Sequence, residues 1–155
     1  MEPSTPGPGA SPKTLRVLIV DDHPDSATSM QLLIGRKDHQ VEVAFDGDQA
    51  LRLADAFRPS LVLLDLSLPG RDGFEIARAM RATEWGKSAT LVATTGWASD
   101  ADRQRALDAG LDRYLTKPIE PDTLYRLLAF LAKEAAGQEE SGPAPWTAAS
   151  PPSRA

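Results

Sequence analysis

Five short apolar runs punctuate the middle of the chain: LRVLIV over 15–20, QVEVAF over 40–45, SLVLLD over 60–65, ATLVATT over 89–95 and RYLTK over 113–117. Their length and their β-branched content predict five strands. Between them apolar residues recur at intervals of three and four: Ala27, Met30 and Ile34; Ala50, Leu53, Ala54 and Phe57; Gly73, Ala77 and Met80; Leu124, Leu127, Leu128 and Leu131. That is the period of a helix with one buried face. Start signals agree. Pro24 and Pro121 suit a first helical turn, and Ser99 with Asp102 three residues on reads as a cap for a fourth helix whose charges, Asp100 to Asp108, form a solvated face.

Strands that alternate with helices imply right-handed crossovers, so the pattern predicts an α/β fold with a doubly wound, five-stranded parallel sheet covered by five helices. The ends lie outside it. Eight of the 13 prolines fall in residues 1–13 and 137–155, segments too polar to offset chain entropy, and both tails are expected to be disordered around a folded unit of 14–136.

Composition narrows the function. The 155 residues include no cysteine, which excludes zinc–thiolate sites, disulfides and Cys nucleophiles. A net charge of -5 argues against coating nucleic acid or an anionic membrane. The acid and prolines of MEPSTPGPGA do not make a signal peptide, and runs such as VLIV fall far short of the ~20 residues a bilayer requires. A soluble, cytoplasmic protein is expected.

In a doubly wound sheet ligands collect beyond the carboxyl ends of the strands. Those ends carry Asp21 and Asp22 on the first strand, Asp65 on the third, Thr94, Thr95 and Gly96 on the fourth, and Lys117 and Pro118 on the fifth. Three carboxylates so gathered repel one another and require a cation, and hard oxygen ligands beside a phosphoryl group suit Mg²⁺. Asp65, between metal and lysine, is placed as a nucleophile toward phosphorus; Lys117 would neutralise the transferring group and Thr95 would donate a hydroxyl to it. His23 invites a phosphohistidine or metal reading. It stands before Pro24 in a loop and Mg²⁺ prefers oxygen, so it is set aside. His39 has no suggested role, and Trp146 in the C-terminal tail reads as a solvated accident, with a short binding motif for a partner as the alternative.

At these residues the chain resembles the receiver domain of two-component response regulators, over about 16–133. VLIVDDHPD, LVLLDLSLPGRDGFE, TTG and YLTKP stand in that family's order with its usual separations. The resemblance implies a flavodoxin-like strand order, 2-1-3-4-5, and phosphorylation of Asp65. It further implies direct Mg²⁺ binding by Asp22, metal binding through water by Asp21, and a metal-ligating main-chain carbonyl at Ser67. Thr95 and Tyr114 would form the switch, Lys117 would pair with the phosphoryl group, and the Lys117–Pro118 bond would be cis. Gly96 matches a position that must be small, and Ser67 and Trp97 match positions that tune the reaction.

The implied function is a phosphoacceptor switch, not an enzyme beyond its own phosphorylation and dephosphorylation. Its donor would be a histidine kinase or phosphotransfer protein, and its output would pass through an unknown protein partner. A phosphate sink, or a receiver excised from a hybrid kinase, is the alternative, although Met1 and the tails favour a stand-alone chain. Three rivals fit less well. A haloacid-dehalogenase phosphatase needs an acid where Ser67 stands, a flavin carrier needs a phosphate loop where DDHPDS stands, and a phosphorylation-independent docking module usually lacks a site residue.

Overall fold

The computed structural model describes residues 14–68, 70, 72–96 and 99–135. The two tails, Trp97 and Trp146 lie outside the described residues, so the expectations placed on them are not addressed by it. Five strands, β1 (Arg16–Val20), β2 (Gln40–Ala44), β3 (Leu61–Asp65), β4 (Thr90–Thr95) and β5 (Arg113–Thr116), pair in parallel in the order β2-β1-β3-β4-β5. Four helices cross between them, α1 (Pro24–Gly35), α2 (Gly47–Phe57), α3 (Gly73–Arg81) and α4 (Asp100–Asp108), and α5 (Pro121–Ala135) follows β5. The expected architecture and strand order are both found.

Strand alternation divides the core. Val17 and Ile19 of β1, Leu61 and Leu63 of β3 and Val92 of β4 pack with Ala27, Met30 and Ile34 of α1 and with Leu124, Leu127, Leu128 and Leu131 of α5. Their neighbours Leu18, Val20, Val62, Leu64, Leu91 and Ala93 face the other way, onto Ala50 and Ala54 of α2, Ala77 and Met80 of α3 and Ala106 of α4. Each of these apolar strand residues therefore buries against one helical layer. Because β3 is central and buried throughout, its four apolar residues contribute about 1.5–3 kcal/mol each, and they hold the Asp65 backbone where it is.

Local signals set the boundaries. Pro24 opens α1, Asp46 caps α2 by accepting the Gln49 N–H, Asp72 caps α3 through the Phe74 N–H, and Ser99 accepts the Asp102 N–H as its sequence spacing predicts. A short 3-10 turn, Trp85–Lys87, has no counterpart among the expected elements, and it buries Trp85. Arg81 locks that end of the sheet. Its guanidinium donates to the carbonyls of Gly110, Gly86 and Ala89 and pairs with Asp112, whose carboxylate also accepts the Leu91 N–H.

His39 acquires a structural role. Its Nδ1 accepts the Leu15 N–H at 2.8 Å, joining the loop before β2 to the start of β1. Burial pushes the imidazole below its ordinary value, against the opposing pull of Asp38. Lys37, Asp122 and Arg126 line the same shallow cleft. Below about pH 6.5 the unfolded chain takes up a proton that the folded one resists. His39 therefore contributes stability that is fully present above that pH and is lost as pH falls through the folded value. Urea unfolding at pH 7.5 and 5.5 should show a smaller acid loss in His39→Gln than in the parent chain; equal losses would contradict the assignment.

Candidate functional site

The strand order reverses between β1 and β3, and the acids meet there. Asp65 ends β3, and Asp21 follows β1 directly, its N–H held by the Ala44 carbonyl at 3.0 Å. Both carboxylates are fully buried. Lys117 follows β5, its N–H donating to the Thr95 carbonyl at 2.7 Å, and the Lys117–Pro118 bond is cis. Its side chain reaches across β4, donating from Nζ to Asp65 Oδ2 at 3.0 Å and to Asp21 Oδ2 at 3.3 Å.

The electrostatics follow from this sharing. Burial pushes the Asp21 carboxyl up. The His23 backbone N–H, the Lys117 charge and hydrogen bonds from the Ser26 and His23 side chains outweigh that and hold it below the usual carboxylate range. Burial likewise pulls the Lys117 ammonium down, but its bond to Asp65 and the charges of Asp65 and Asp21 hold it above its ordinary value. One lysine thus serves two buried acids.

Oxygen atoms still lack partners. Asp22 Oδ1 is buried and accepts no hydrogen bond. One ligand atom from each of Asp21, Asp22, His23 and Asp65 lies within 4.8 Å of the others. Hard acceptors converging at this distance, one of them without a donor, suit a divalent cation. The acids present therefore fit Mg²⁺.

Ser67 does more than lie nearby. Its N–H and Oγ both donate to Asp65 Oδ1, at 2.9 and 2.7 Å, so its hydroxyl fixes the rotamer of the acid. Thr95, half-buried, closes β4 one residue beyond the Asp65–Thr94 register pair. Tyr114, on β5 and also half-buried, lies under the guanidinium of Arg103 at 4.8 Å. Arg105 stacks on Phe74 at 4.2 Å and reaches Asp72 at 3.3 Å. The reading of α4's charges as a solvated face holds for Arg105, which stays exposed, but not for the partly buried Arg103. At Gly96 an added Cβ would meet no described atom within 4 Å, so no described neighbour requires a small residue there.

His23 is the residue sequence reasoning set aside and the structure brings back. Pro24 occupies the first helical position, which leaves His23 in extended backbone with φ -97° and ψ 109°. Its ring caps no helix donor and turns over the strand ends, with Nδ1 at 3.2 Å from Asp21 Oδ1 and from Asp22 Oδ1. The signal lay in the dipeptide His23–Pro24, although ring direction depends on how the loop folds back.

A doubly wound parallel domain with a shared acid–lysine cluster at its switch point is a recognisable class of ligand-binding fold. The family model described as response regulator receiver domain matches residues 17–129, and the chain belongs to that family. It is 36% identical over 112 residues to an uncharacterized 14.6 kDa protein in the sodA1 3' region of Leptolyngbya boryana, covering 72% of this chain and 86% of that protein. It is also 36% identical over 110 residues to the transcriptional regulatory protein DltR of Streptococcus agalactiae, covering 71% of this chain but only 48% of DltR, about half that regulator's length. Among solved structures it resembles the receiver domain of sensor histidine kinase PA1611 from Pseudomonas aeruginosa, which has a magnesium ion coordinated in its active site cleft. That likeness has a TM-score of 0.69 and 31% identity, and covers 81% of this chain and all of that domain.

Proposed function

We propose that this receiver domain is a phosphoacceptor switch in which Asp65 takes a phosphoryl group from a histidine kinase or phosphotransfer protein. The observation that carries the reading is the burial of Asp65 at the switch point with Lys117 on one oxygen and Ser67 on the other. A carboxylate oxygen of Asp65 attacks phosphorus as the donor's P–N bond breaks, and the electron pair departs with the donor imidazole. Ser67 and Lys117 keep the nucleophile in one orientation, and Lys117 meets the charge on the phosphoryl oxygens. Mg²⁺, when held by Asp21, Asp22, Asp65 and the Ser67 carbonyl, supplies further neutralisation of that charge.

Beside the acids a cleft between α1 and the segment after β5 is lined by Ser26, Met30, Leu33, Lys117 and Ile119. Its apolar floor suits a helix that carries the donor histidine. Once Asp65 is phosphorylated, Thr95 would donate to a phosphoryl oxygen and Tyr114 would exchange its contact with Arg103, altering the α4–β5–α5 surface. Ser67, and Trp97 outside the described residues, would tune the phosphoryl lifetime. Residues 14–136 would fold as the working unit, in the cytoplasm, with a protein partner downstream and no nucleic acid or membrane. The chemistry would be confined to this protein's own phosphorylation and dephosphorylation. No described helix is long and apolar enough to cross a membrane.

Metal dependence tests the reading. Acetyl phosphate with Mg²⁺ should add a phosphoryl group, read by intact mass, and excess EDTA should suppress it, because without the cation three carboxylates face an incoming anion. Undiminished labelling in EDTA would contradict the donor set.

A further inference from the structure

His23 is a fourth donor at the acid cluster, and of a different chemical kind. The three acids offer hard oxygens, whereas imidazole nitrogen adds little to Mg²⁺ and much to first-row transition ions, whose affinity for nitrogen rises from Mn²⁺ toward Ni²⁺ and Cu²⁺. We propose that His23 Nδ1 is a ligand that biases this cation site away from Mg²⁺ and toward divalent transition metals. The inference rests on the cation site proposed above and goes beyond it by naming the residue that sets metal preference.

Three observations support it. Nδ1 lies 3.2 Å from an oxygen of Asp21, 3.2 Å from an oxygen of Asp22 and 3.9 Å from Asp65 Oδ2, so it faces the space between all three acids. Asp22 Oδ1, although that close to the ring, is buried and receives no hydrogen bond, so the contact does not satisfy it as a donor–acceptor pair would. A cation held there satisfies the Asp22 oxygen, with Nδ1 exchanging its 3.2 Å hydrogen bond to Asp21 Oδ1 for the ion. Finally, the His23 N–H donates to Asp21 Oδ1 at 2.9 Å and Pro24 starts the helix, so the backbone from which the ring projects is fixed beside the acids. The side chain is 63% exposed, which leaves room for water and a phosphoryl group on the open side of the ion.

The test is the ratio of Ni²⁺ to Mg²⁺ affinity, measured by calorimetry on the full chain without a purification tag, for the parent, His23→Ala and His23→Asn. The chain holds only two histidines, and His39→Gln is the control for nickel binding elsewhere. The ratio should fall about tenfold or more in both His23 variants and stay unchanged in His39→Gln, with Mg²⁺ affinity nearly constant. With Mn²⁺ as the probe, electron spin-echo modulation from a ¹⁴N nucleus should be present in the parent and absent in His23→Ala. A ratio that holds in the His23 variants, equal losses for both metals, or a modulation that survives the substitution would overturn the proposal while leaving Mg²⁺ binding by the acids intact. Failure of the parent chain to bind Mg²⁺ or Ni²⁺ at all would overturn both the proposal and the cation site beneath it.

Discussion

Asp65→Asn is expected to remove labelling by acetyl phosphate in Mg²⁺, by at least about a hundredfold, while the chain stays folded. The amide carries no charge and its oxygen is a poor nucleophile. The other two acids are less well placed, because Asp21 is fully buried with its oxygens committed to Lys117 and to the N–H and ring of His23, and Asp22 Oδ1 is buried 3.2 Å from the same ring. The fold should not suffer. Asn keeps an oxygen for the two hydrogen bonds from Ser67, and one fewer carboxylate shares Lys117. Stability in EDTA should be no lower than the parent's by thermal melting. Labelling that persists at the parent rate would move the acceptor elsewhere; a large loss of stability would show that Asp65 is chiefly a partner holding Lys117 in place.

The largest effect on folding is expected at a residue far from the chemistry. A Cβ added at Gly86 would lie 1.7 Å from the Met80 carbonyl oxygen and 2.6 Å from its carbon, both backbone atoms. Neither can step aside as a flexible side chain would. The turn Trp85–Lys87 would have to move, loosening the Arg81 bond to the Gly86 carbonyl, the Gly86 N–H bond to Thr83 and the burial of Trp85. Gly86→Ala should therefore cost about 3 kcal/mol or more in urea unfolding. Gly35→Ala is the matched control, since nothing lies within 4 Å of its added Cβ and alanine favours the end of α1. A cost below about 1 kcal/mol at Gly86 would mean that the turn adapts more readily than its packing suggests.

The difference between what the sequence disclosed and what it concealed has a physical basis. Apolar runs and helical spacing reveal strands and helices because burial imposes a period, and a parallel sheet then brings strand ends to one edge. Asp21, Asp65 and Lys117 were legible for that reason, since each needs only its place at a strand terminus. The role of His23 depends on the direction of a ring in a three-residue loop, which no period encodes. Arg81 reads as a surface cation, yet it ties three loop carbonyls and Asp112 together through contacts up to 31 residues apart. The turn at Trp85 is too short to show a period, and the glycine that permits it looks like any loop glycine. Arg103 and Arg105 lie on a helix of low hydrophobicity, and only the placement of Tyr114 and Phe74 reveals what they cover.

The central claim is that Asp65, and no other group, receives the phosphoryl group. The direct measurement is peptide mapping of the chain after acetyl phosphate and Mg²⁺, with borohydride trapping of the acyl phosphate so that the modified residue survives digestion. A single modified position at Asp65, absent when EDTA replaces Mg²⁺, is the predicted result. Modification at His23, at Asp22 or at several acids, or an Asp65 peptide that stays unmodified while the intact chain gains mass, would contradict it.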